Sequence, residues 1–421
     1  MAQYVISGGN QLRGKVRISG NKNSVLPCLA ATLLTEDKVT LKNVPIIRDV
    51  GVSLQILQTL GAQTTSEGRE VTVEAKKISQ TELPKELVAK LRASILFVGP
   101  LLARLNKVTF SHPGGDIIGR RSIEPHLDGF RALGYKFRVK SGGSEYQGYS
   151  KIHNQKILDV FLEEASVTAT ENLLLGCSLN PNIVILRNCA EEPHIVDLCN
   201  LLSLMGVKIQ GIGSSTLTVQ GARKLNGCEF SIGPDYVELG TYAIAAAITR
   251  GEIFAENCLL RGLEPLVLPL VRMGLKFEEK SGGIVMSAPR IVPHQKIHTN
   301  IWPGFPTDVM SLAIVLATQA RGVTLCHDWM YENRMFFVDK LIGMGAHITI
   351  ADPHRVLVYG PTKLYGRDLE SPDIRAGMAM VLAALIAQGE SVINRAELIE
   401  RGYENVVETL LSLGANIERV D

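Results

Sequence analysis

The sequence predicts an α/β protein of two domains, each built from three similar units. The chain has 421 residues, of which 46% are hydrophobic. That length and composition suffice for two cores of roughly 200 residues each. A pattern of two helices and several short strands recurs six times, at intervals of about 70 residues. Six units in two domains are most economically arranged three to a domain.

One helix of each repeat ends on a leucine or methionine followed by glycine. The six ends are Leu60-Gly61, Leu133-Gly134, Met205-Gly206, Met273-Gly274, Met344-Gly345 and Leu413-Gly414. Apolar residues at three- and four-residue spacing precede them, as in a helix with one buried face, and glycine is favoured just past a last helical turn. A short alternating pattern typical of a strand follows each glycine. The pairs Gly142-Gly143 and Gly282-Gly283 are predicted hairpin turns.

The other helix of each repeat is apolar on nearly every face, as in TDVMSLAIVLATQARG and DIRAGMAMVLAALIAQG. Such helices are too short to span a membrane, so we expect them to be buried inside their domains. Their polar residues are concentrated at the N-terminal ends: Lys22, Asn23, Arg92, Thr170, Glu171, Glu238, Thr241, Thr307, Asp308, Asp373 and Arg375. Unpaired N–H groups and the helix dipole favour anions there.

The domain boundaries are predicted near Lys22 and near Gly233-Pro234-Asp235. One domain then comprises residues 22–234. The second is discontinuous and comprises residues 1–21 together with residues 235–421, so the N-terminal segment completes the C-terminal half.

Composition excludes several classes of function. The formal charge of +2, from 44 basic and 42 acidic residues, gives no general attraction to nucleic acid or an anionic membrane, so any anion site must be local. The start, MAQYVISGGN, lacks the features of a secretory signal. Seven cysteines stand singly in apolar segments, which favours buried thiols over disulfides or a metal site. We expect a cytoplasmic protein; the oligomeric state is left open.

The stretch Ser111–His126, SHPGGDIIGRRSIEPH, is a predicted flap. Gly114, Gly115 and Gly119 surround Asp116 and precede Arg121, and a glycine-rich loop can close over a ligand. An ordinary surface turn is the alternative. For His126, holding the flap by hydrogen bonds and transferring protons both remain open.

Six cations stand in loops or at helix starts, spread over several repeats: Lys22, Arg92, Arg121, Arg334, Arg375 and Arg401. A buried cation needs an anionic partner. Each one alone could pair with a neighbouring carboxylate such as Glu332, Asp373 or Glu404. Together they favour a substrate that carries carboxylate and phosphate groups, which guanidinium groups bind in a bidentate manner.

Asp308 follows Gly304-Phe305-Pro306-Thr307 at the start of a predicted buried helix, with Thr307 as a possible N-cap. A role in capping or in balancing the helix dipole is the alternative to a catalytic one. As a catalytic group Asp308 would accept a proton from an alcohol, and Asp116 could be the complementary acid.

Eight motifs in this order resemble the enolpyruvyl transferases, in particular those that act on UDP-N-acetylglucosamine. They are GNKNSVLP, LRAS, PGGDIIGRR, EPHIVDL, PGFPTD, ENR, DIRAG and RGYE, and they span the chain. The resemblance implies a two-domain inside-out α/β barrel of six βαβαββ repeats. It also implies transfer of the enolpyruvyl group of phosphoenolpyruvate to the sugar 3-hydroxyl with release of phosphate, by addition and elimination, without a metal or organic cofactor. That reaction is the first committed step of peptidoglycan synthesis.

The resemblance also assigns site residues. Those expected to bind phosphoenolpyruvate are Lys22, Asn23, Arg121, Arg334, Arg375 and Arg401. Those expected to bind the UDP-sugar are Arg92, Arg121, Ser122, Ile123, Glu124, Pro125, Ser166, Val167, Asp308 and Met330. Catalytic roles fall to Asp116, Asp308, Lys22 and Arg401, with Asp308 as the base and Asp116 linked to proton donation and product release. Domain 22–234 would carry flap 111–126 and much of the UDP-sugar site, and the second domain would carry Asp308, Arg334, Arg375 and Arg401.

Three positions depart from the pattern of the family. Asp116 stands where most relatives have cysteine, so we predict resistance to fosfomycin, an epoxide that alkylates thiolates. Thr168 replaces a small residue, and Tyr236 replaces a common arginine; both leave the preference for the sugar nucleotide open. A shikimate-type enolpyruvyl transferase is an alternative, although SVTATEN differs from the pattern expected around shikimate 3-phosphate. A non-catalytic UDP-sugar-binding paralogue is a second alternative, which the complete set of cations disfavours.

Overall fold

A computed structural model describes residues 2–116, 118–140, 145–150 and 157–421. Ile117 of the predicted flap and the predicted turn at Gly142-Gly143 lie outside the described residues. Contacts divide the chain into two units. The C-terminal unit comprises Met1–Ser19, Asp116–Arg120 and Pro234–Asp421, and the N-terminal unit comprises Gly20–Gly115 and Arg121–Gly233. The grouping of residues 116–120 with the C-terminal unit differs from the predicted assignment of the whole flap to domain 22–234.

The described residues form 23 strands and 13 α-helices. The strands are β1 (Gln3–Ser7), β2 (Arg13–Arg17), β3 (Val39–Lys42), β4 (Gln63–Glu67), β5 (Glu70–Glu74), β6 (Lys107–Ser111), β7 (Tyr135–Lys140), β8 (Glu145–Ser150), β9 (Ile157–Phe161), β10 (Ile183–Arg187), β11 (Lys208–Gln210), β12 (Thr216–Gln220), β13 (Cys228–Ser231), β14 (Glu252–Glu256), β15 (Lys276–Lys280), β16 (Gly283–Ser287), β17 (Lys296–His298), β18 (Gly322–His327), β19 (His347–Asp352), β20 (Arg355–Gly360), β21 (Asp368–Glu370), β22 (Glu390–Asn394) and β23 (Asn416–Val420). The helices are α1 (Lys22–Ala31), α2 (Arg48–Leu60), α3 (Lys85–Val88), α4 (Val98–Leu105), α5 (Glu124–Ala132), α6 (Val167–Cys177), α7 (Pro193–Met205), α8 (Tyr236–Ile248), α9 (Glu264–Arg272), α10 (Thr307–Ala317), α11 (Val338–Gly343), α12 (Ile374–Ile386) and α13 (Val406–Ser412).

The sheets repeat one topology, three times in each unit. The C-terminal unit contains the orders β2-β14-β16-β15, β17-β18-β20-β19 and β21-β22-β1-β23, and the N-terminal unit contains β13-β3-β5-β4, β9-β10-β12-β11 and β6-β8-β7. Each four-stranded sheet pairs one edge strand in parallel and its other strands antiparallel. In the three-stranded sheet a single parallel bridge between Glu82 and Thr109 of β6 takes the place of the fourth strand. The predicted sixfold repeat is confirmed.

The first and last strands of the chain meet in one sheet. β1 pairs antiparallel with β22 on one side and with β23 on the other. The N-terminal segment therefore completes the last repeat of the C-terminal unit. The turn predicted at Gly282-Gly283 is also present, because β15 and β16 pair antiparallel across it.

Each unit surrounds three buried helices with its sheets. α1, α4 and α6 lie in the core of the N-terminal unit, and α8, α10 and α12 lie in the core of the C-terminal unit. The apolar helix predicted around Arg92 is in fact divided into a 3-10 segment, Arg92–Phe97, followed by α4. Pro100 explains the division, since it has no N–H to donate to the carbonyl of Leu96 in a continuous α-helix.

The glycines predicted at the ends of the amphipathic helices adopt the backbone conformation that this position requires. Their φ angles lie between 93° and 113° at Gly61, Gly134, Gly206, Gly274, Gly345 and Gly414. The left-handed region is favourable for glycine because it lacks a Cβ atom. All six predicted helix ends are confirmed to within one residue.

All seven cysteines are free, and six of them are buried. No helix among the described residues is long and apolar enough to cross a membrane. The described residues also contain no cluster of three or more His, Cys, Asp or Glu side chains that could hold a metal ion.

Candidate active site

Asp308 of the C-terminal unit lies in the first turn of α10 and accepts hydrogen bonds from two arginines. Arg334 Nη2 lies 3.1 Å from its Oδ1, while Arg375 Nε and Nη2 lie 3.1 and 2.9 Å from its Oδ2. The arginine side chains are 2% and 6% exposed, whereas that of Asp308 is 29% exposed. The two arginines thus fix the orientation of the carboxylate, and part of the carboxylate remains accessible to solvent.

Arg375 is itself held by the start of α12. Asp373 is the N-cap, and its Oδ1 accepts hydrogen bonds from the backbone N–H groups of Arg375 and Ala376 at 2.8 and 3.0 Å. The guanidinium lies 5.3 Å from the ring centroid of Tyr403, whose hydroxyl is 2.9 Å from Thr241 Oγ1. Burial acts to lower the pKa of Arg375, but Asp308 and the other nearby acidic groups together outweigh it and the pKa is raised.

The predicted N-cap role of Thr307 is wrong. Pro306 occupies the N-cap position without a side-chain cap, and Thr307 is the first residue of α10. Its hydroxyl donates instead to Asp328 Oδ2. Asp328 is fully buried, and its Oδ1 accepts hydrogen bonds from the backbone N–H groups of Met330 and Tyr331. Sequence reasoning missed Asp328, whose only signal was a carboxylate directly after strand β18.

Asp116 forms an ion pair with Arg401 at 2.5 Å, and their side chains are 20% and 16% exposed. The next flap residues contact the segment that precedes Arg334. Ile118 O accepts from the N–H of Asn333, and the N–H of Arg120 donates to Glu332 Oε1. These contacts explain why residues 116–120 group with the C-terminal unit.

Gly119 is required in this flap. Its φ is +142°, and a Cβ atom would lie 2.5 Å from Glu332 Oε2. Glu332 is therefore a partner of the flap backbone. Arg334 pairs with Asp308 and not with Glu332, which was the alternative that the sequence left open.

Lys22 of the N-terminal unit is the first residue of α1, and its Nζ lies 2.8 Å from Asp49 Oδ2. Both side chains are nearly inaccessible, at 11% and 4% exposed. Asn21 caps the helix, because its Oδ1 accepts a hydrogen bond from the N–H of Asn23 at 2.8 Å. The predicted Lys22-Asn23 pair thus begins a capped, buried helix, and sequence reasoning missed Asp49 as the partner of Lys22.

The segment expected to bind the UDP-sugar in this unit is held by Arg92. Its Nη2 donates to the backbone carbonyls of Arg121 and Ser122 at 2.7 and 3.0 Å. α5 begins directly afterwards at Glu124, with Pro125 next. The other expected segment lies at the start of α6, where Ser166 is the N-cap and Val167 is the first helical residue.

The predicted site residues therefore form two sets. Asp116, Asp308, Met330, Arg334, Arg375 and Arg401 belong to the C-terminal unit. Lys22, Asn23, Arg92, Arg121, Ser122, Ile123, Glu124, Pro125, Ser166 and Val167 belong to the N-terminal unit. Ion pairs bring Asp308 together with Arg334 and Arg375, and Asp116 together with Arg401.

Comparison with known proteins identifies the family. A family model described as EPSP synthase (3-phosphoshikimate 1-carboxyvinyltransferase) matches residues 6–410. The chain belongs to the EPSP synthase family. Three similar proteins are named UDP-N-acetylglucosamine 1-carboxyvinyltransferase. The proteins from Treponema denticola and Treponema pallidum are 44% identical to this chain, and that from Borreliella burgdorferi is 41% identical. The alignments cover at least 99% of this chain and 99% of each relative.

Solved structures confirm the fold expected of the EPSP synthase family. The enolpyruvyl transferase NikO from Streptomyces tendae has a TM-score of 0.89 and 24% identity, covering 100% of this chain and 99% of that one. An EPSP synthase from Acinetobacter baumannii has a TM-score of 0.77 and 18% identity, covering 100% of both chains. The resemblance to enolpyruvyl transferases seen in the sequence is confirmed.

Proposed function

We propose that this member of the EPSP synthase family transfers the enolpyruvyl group of phosphoenolpyruvate to the 3-hydroxyl of UDP-N-acetylglucosamine and releases phosphate. This is the first committed step of peptidoglycan synthesis, and the reaction takes place in the cytoplasm. The observation that supports it most directly is the full-length similarity, at 38–44% identity, to relatives named UDP-N-acetylglucosamine 1-carboxyvinyltransferase.

The reaction proceeds by addition and elimination. Carbon 3 of phosphoenolpyruvate gains a proton, the sugar oxygen forms a bond to carbon 2, and the hydroxyl proton passes to a base. Carbon 3 then loses a proton while the bond between carbon 2 and the phosphate oxygen breaks. The products are the enolpyruvyl ether of the sugar nucleotide and inorganic phosphate, so atoms and electrons balance without a cofactor.

Asp308 is the base that takes the proton of the 3-hydroxyl. Its carboxylate is oriented by Arg334 and Arg375 and is partly exposed, so it can face a substrate hydroxyl. The same guanidinium groups bind the carboxylate and phosphate of phosphoenolpyruvate, because both groups accept bidentate hydrogen bonds. When the donor binds, the arginines exchange Asp308 for the substrate anion and leave a carboxylate oxygen available to the hydroxyl.

Donor binding is expected to displace Asp116 from its arginine as well. It accepts a hydrogen bond from Arg401, and a role as proton donor requires it to leave that arginine first. Phosphoenolpyruvate competes with Asp116 for Arg401, so donor binding frees the flap carboxylate. Lys22, Asn23 and Arg121 also bind the donor. The remaining residues, Arg92, Ser122, Ile123, Glu124, Pro125, Ser166, Val167 and Met330, bind the sugar nucleotide.

The shikimate-type reaction is the second candidate, since the matching family model bears the name of that enzyme. The relatives that share 38–44% identity carry the other name, and the EPSP synthase structures at 18% identity support the fold alone. A phosphate-release assay distinguishes the two reactions. We expect release with phosphoenolpyruvate and UDP-N-acetylglucosamine, and none when shikimate 3-phosphate replaces the sugar nucleotide.

The assay includes Asp308→Ala and, as a matched control, Asp339→Ala. Both aspartates lie in the first turn of a helix in the C-terminal unit, but Asp339 is exposed and outside the predicted site. We expect only Asp308→Ala to abolish phosphate release. Phosphate release with shikimate 3-phosphate as the acceptor, and not with UDP-N-acetylglucosamine, would support the second candidate. Tight UDP-sugar binding without turnover in the unmodified protein would identify a non-catalytic paralogue and overturn the proposal.

A further inference from the structure

His126 lies in a buried hydrogen-bond chain of the N-terminal unit. The residue is the third of α5 and only 1% exposed. Its Nε2 is 3.1 Å from Thr168 Oγ1, and its Nδ1 is 3.0 Å from Asn172 Nδ2. Thr168 and Asn172 both belong to α6. One imidazole therefore links the beginnings of two helices.

The contacts of Asn172 determine where the imidazole proton lies. Its Nδ2 donates to the carbonyl of Ile95 at 2.9 Å, and its Oδ1 accepts from the N–H of Gly99 at 2.7 Å. These backbone groups fix the orientation of the amide, so Nδ2 faces His126 as a donor. His126 Nδ1 must accept, and the proton of the neutral ring is on Nε2. Thr168 Oγ1 accepts that proton in a hydrogen bond.

The same geometry keeps the ring neutral. A proton on Nδ1 would point at the NH₂ group of Asn172, and both hydrogens of that group are already directed at acceptors. Burial, with a smaller contribution from Arg92, lowers the pKa of His126 to about 3. His126 therefore does not exchange protons near neutral pH, which decides between the two roles that the sequence left open.

The hydrogen-bond chain through His126 joins the two segments expected to hold the sugar nucleotide. Residues 121–125 directly precede His126, and Ser166 and Val167 directly precede Thr168. Ser166 Oγ, as N-cap, accepts from the N–H of Ala169. Asn172 anchors the arrangement because it also binds the backbone of Ile95 and Gly99, in the 3-10 segment and in α4. A change in the Thr168 contact would alter the spacing of the two segments.

We propose that His126 and Thr168 are positioning residues for the sugar nucleotide: the Nε2–H of His126 binds Thr168 and fixes segment 121–125 relative to segment 166–167. This inference rests on the proposed function, because it assigns the two segments to UDP-N-acetylglucosamine. Neither side chain takes part in proton transfer. Loss of the contact must therefore weaken nucleotide binding more than it slows the chemical step.

The test uses Thr168→Val, which removes the hydroxyl but keeps the branched shape, and Thr168→Ser, which keeps the hydroxyl. Thr72→Val is the matched control, since Thr72 Oγ1 lies 2.9 Å from Thr40 Oγ1 in a sheet of the same unit, outside the predicted site. We expect Thr168→Val to raise KM for UDP-N-acetylglucosamine about five-fold to ten-fold. We expect kcat and KM for phosphoenolpyruvate to change less than about two-fold, and Thr168→Ser and Thr72→Val to resemble the unmodified protein.

Nitrogen NMR of the imidazole tests the hydrogen-bond chain independently of enzyme activity. We expect a neutral ring with its proton on Nε2 from about pH 5 to 8. A ring protonated on Nδ1 in this range, or an unchanged KM in Thr168→Val, would overturn the inference. If the unmodified protein released no phosphate but the NMR result held, the proposed function would fail while the hydrogen-bond chain stood. Thermal unfolding of the three variants separates a general loss of stability from the change in KM.

Discussion

Asp308 in the C-terminal unit and His126 in the N-terminal unit are each held by two side chains, but their partners differ in charge. Asp308 lies between two arginines that are almost fully buried. His126 lies between an amide and a hydroxyl, and both of these partners are uncharged. Ion pairs can exchange partners when an anionic substrate arrives, whereas a neutral chain keeps its geometry and charge. This difference in charge distinguishes Asp308, which we expect to take part in the reaction, from His126, which we expect to position the sugar-nucleotide segments.

Lys22 extends the comparison within the N-terminal unit. It is expected to bind phosphoenolpyruvate, and like the arginines of the other unit it has a buried carboxylate partner, Asp49. Each predicted donor-binding cation whose ion pair has been described thus contacts an aspartate: Lys22, Arg334, Arg375 and Arg401. We infer that these aspartates take the place that the anionic substrate would occupy.

The largest expected effect concerns Asp116, whose carboxylate stands where the resemblance to enolpyruvyl transferases leads us to expect a thiol. We expect fosfomycin to leave the unmodified protein unlabelled and to add covalently to the Asp116→Cys variant, because a thiolate attacks an epoxide far more readily than a carboxylate does. Intact-mass spectrometry measures the adduct. Buried native thiols such as Cys326, whose pKa burial raises to about 12, serve as an internal control. Labelling of the unmodified protein at residue 116 would contradict the prediction.

The next effect concerns the ion-paired carboxylate itself. We expect Asp308→Asn to reduce kcat by about 10²-fold to 10⁴-fold, the usual contribution of a general base. Thr168→Val removes the hydrogen bond between His126 and Thr168 and is expected to change KM for UDP-N-acetylglucosamine instead. Circular dichroism establishes that the variant is folded. A kcat within about ten-fold of the unmodified value would remove Asp308 from the role of base.

The smallest effect concerns stability. Arg334→Gln leaves Asp308 and Arg375 in place but removes a buried charge that contacts both a carboxylate and, at 5.5 Å, the ring of Tyr331. Asp308 is 29% exposed and keeps its pair with Arg375, so we expect a loss of about 1.5–3 kcal/mol, the usual contribution of a hydrogen bond to a charged group. The control Arg395→Gln removes the half-exposed ion pair with Glu370 and should have little effect. Urea unfolding followed for both variants measures the difference; equal midpoints would mean that the buried pair does not stabilise the C-terminal unit.

Local pattern was sufficient for the helices and for their ends. The helix end at Gly206 was predicted because an amphipathic run stops there. The φ of +113° at this glycine is the conformation expected just past a helix end. The cations at helix starts were found in the same way, as polar residues next to apolar runs. Both signals lie within one or two helical turns, so neighbouring residues reveal them.

The partners of those residues could not be found by pattern. Thr307 was read as an N-cap from its neighbours, but its hydroxyl donates to Asp328, which is 21 residues away. The sequence left open a pair between Arg334 and Glu332, two residues away, but Arg334 pairs with Asp308, which is 26 residues away. In each case a group brought close by folding competed successfully with the nearest one in the sequence.

Periodicity and short motifs were enough to predict the sixfold repeat, the buried helices, the glycine ends and the family, because they are properties of residues close together in the sequence. The tertiary structure alone decided which carboxylate each cation contacts. Arg375 meets Asp308 across 67 residues, and Arg401 meets Asp116 across 285 residues. Electrostatic attraction depends on distance in space, and only the packing of helices and sheets fixes that distance.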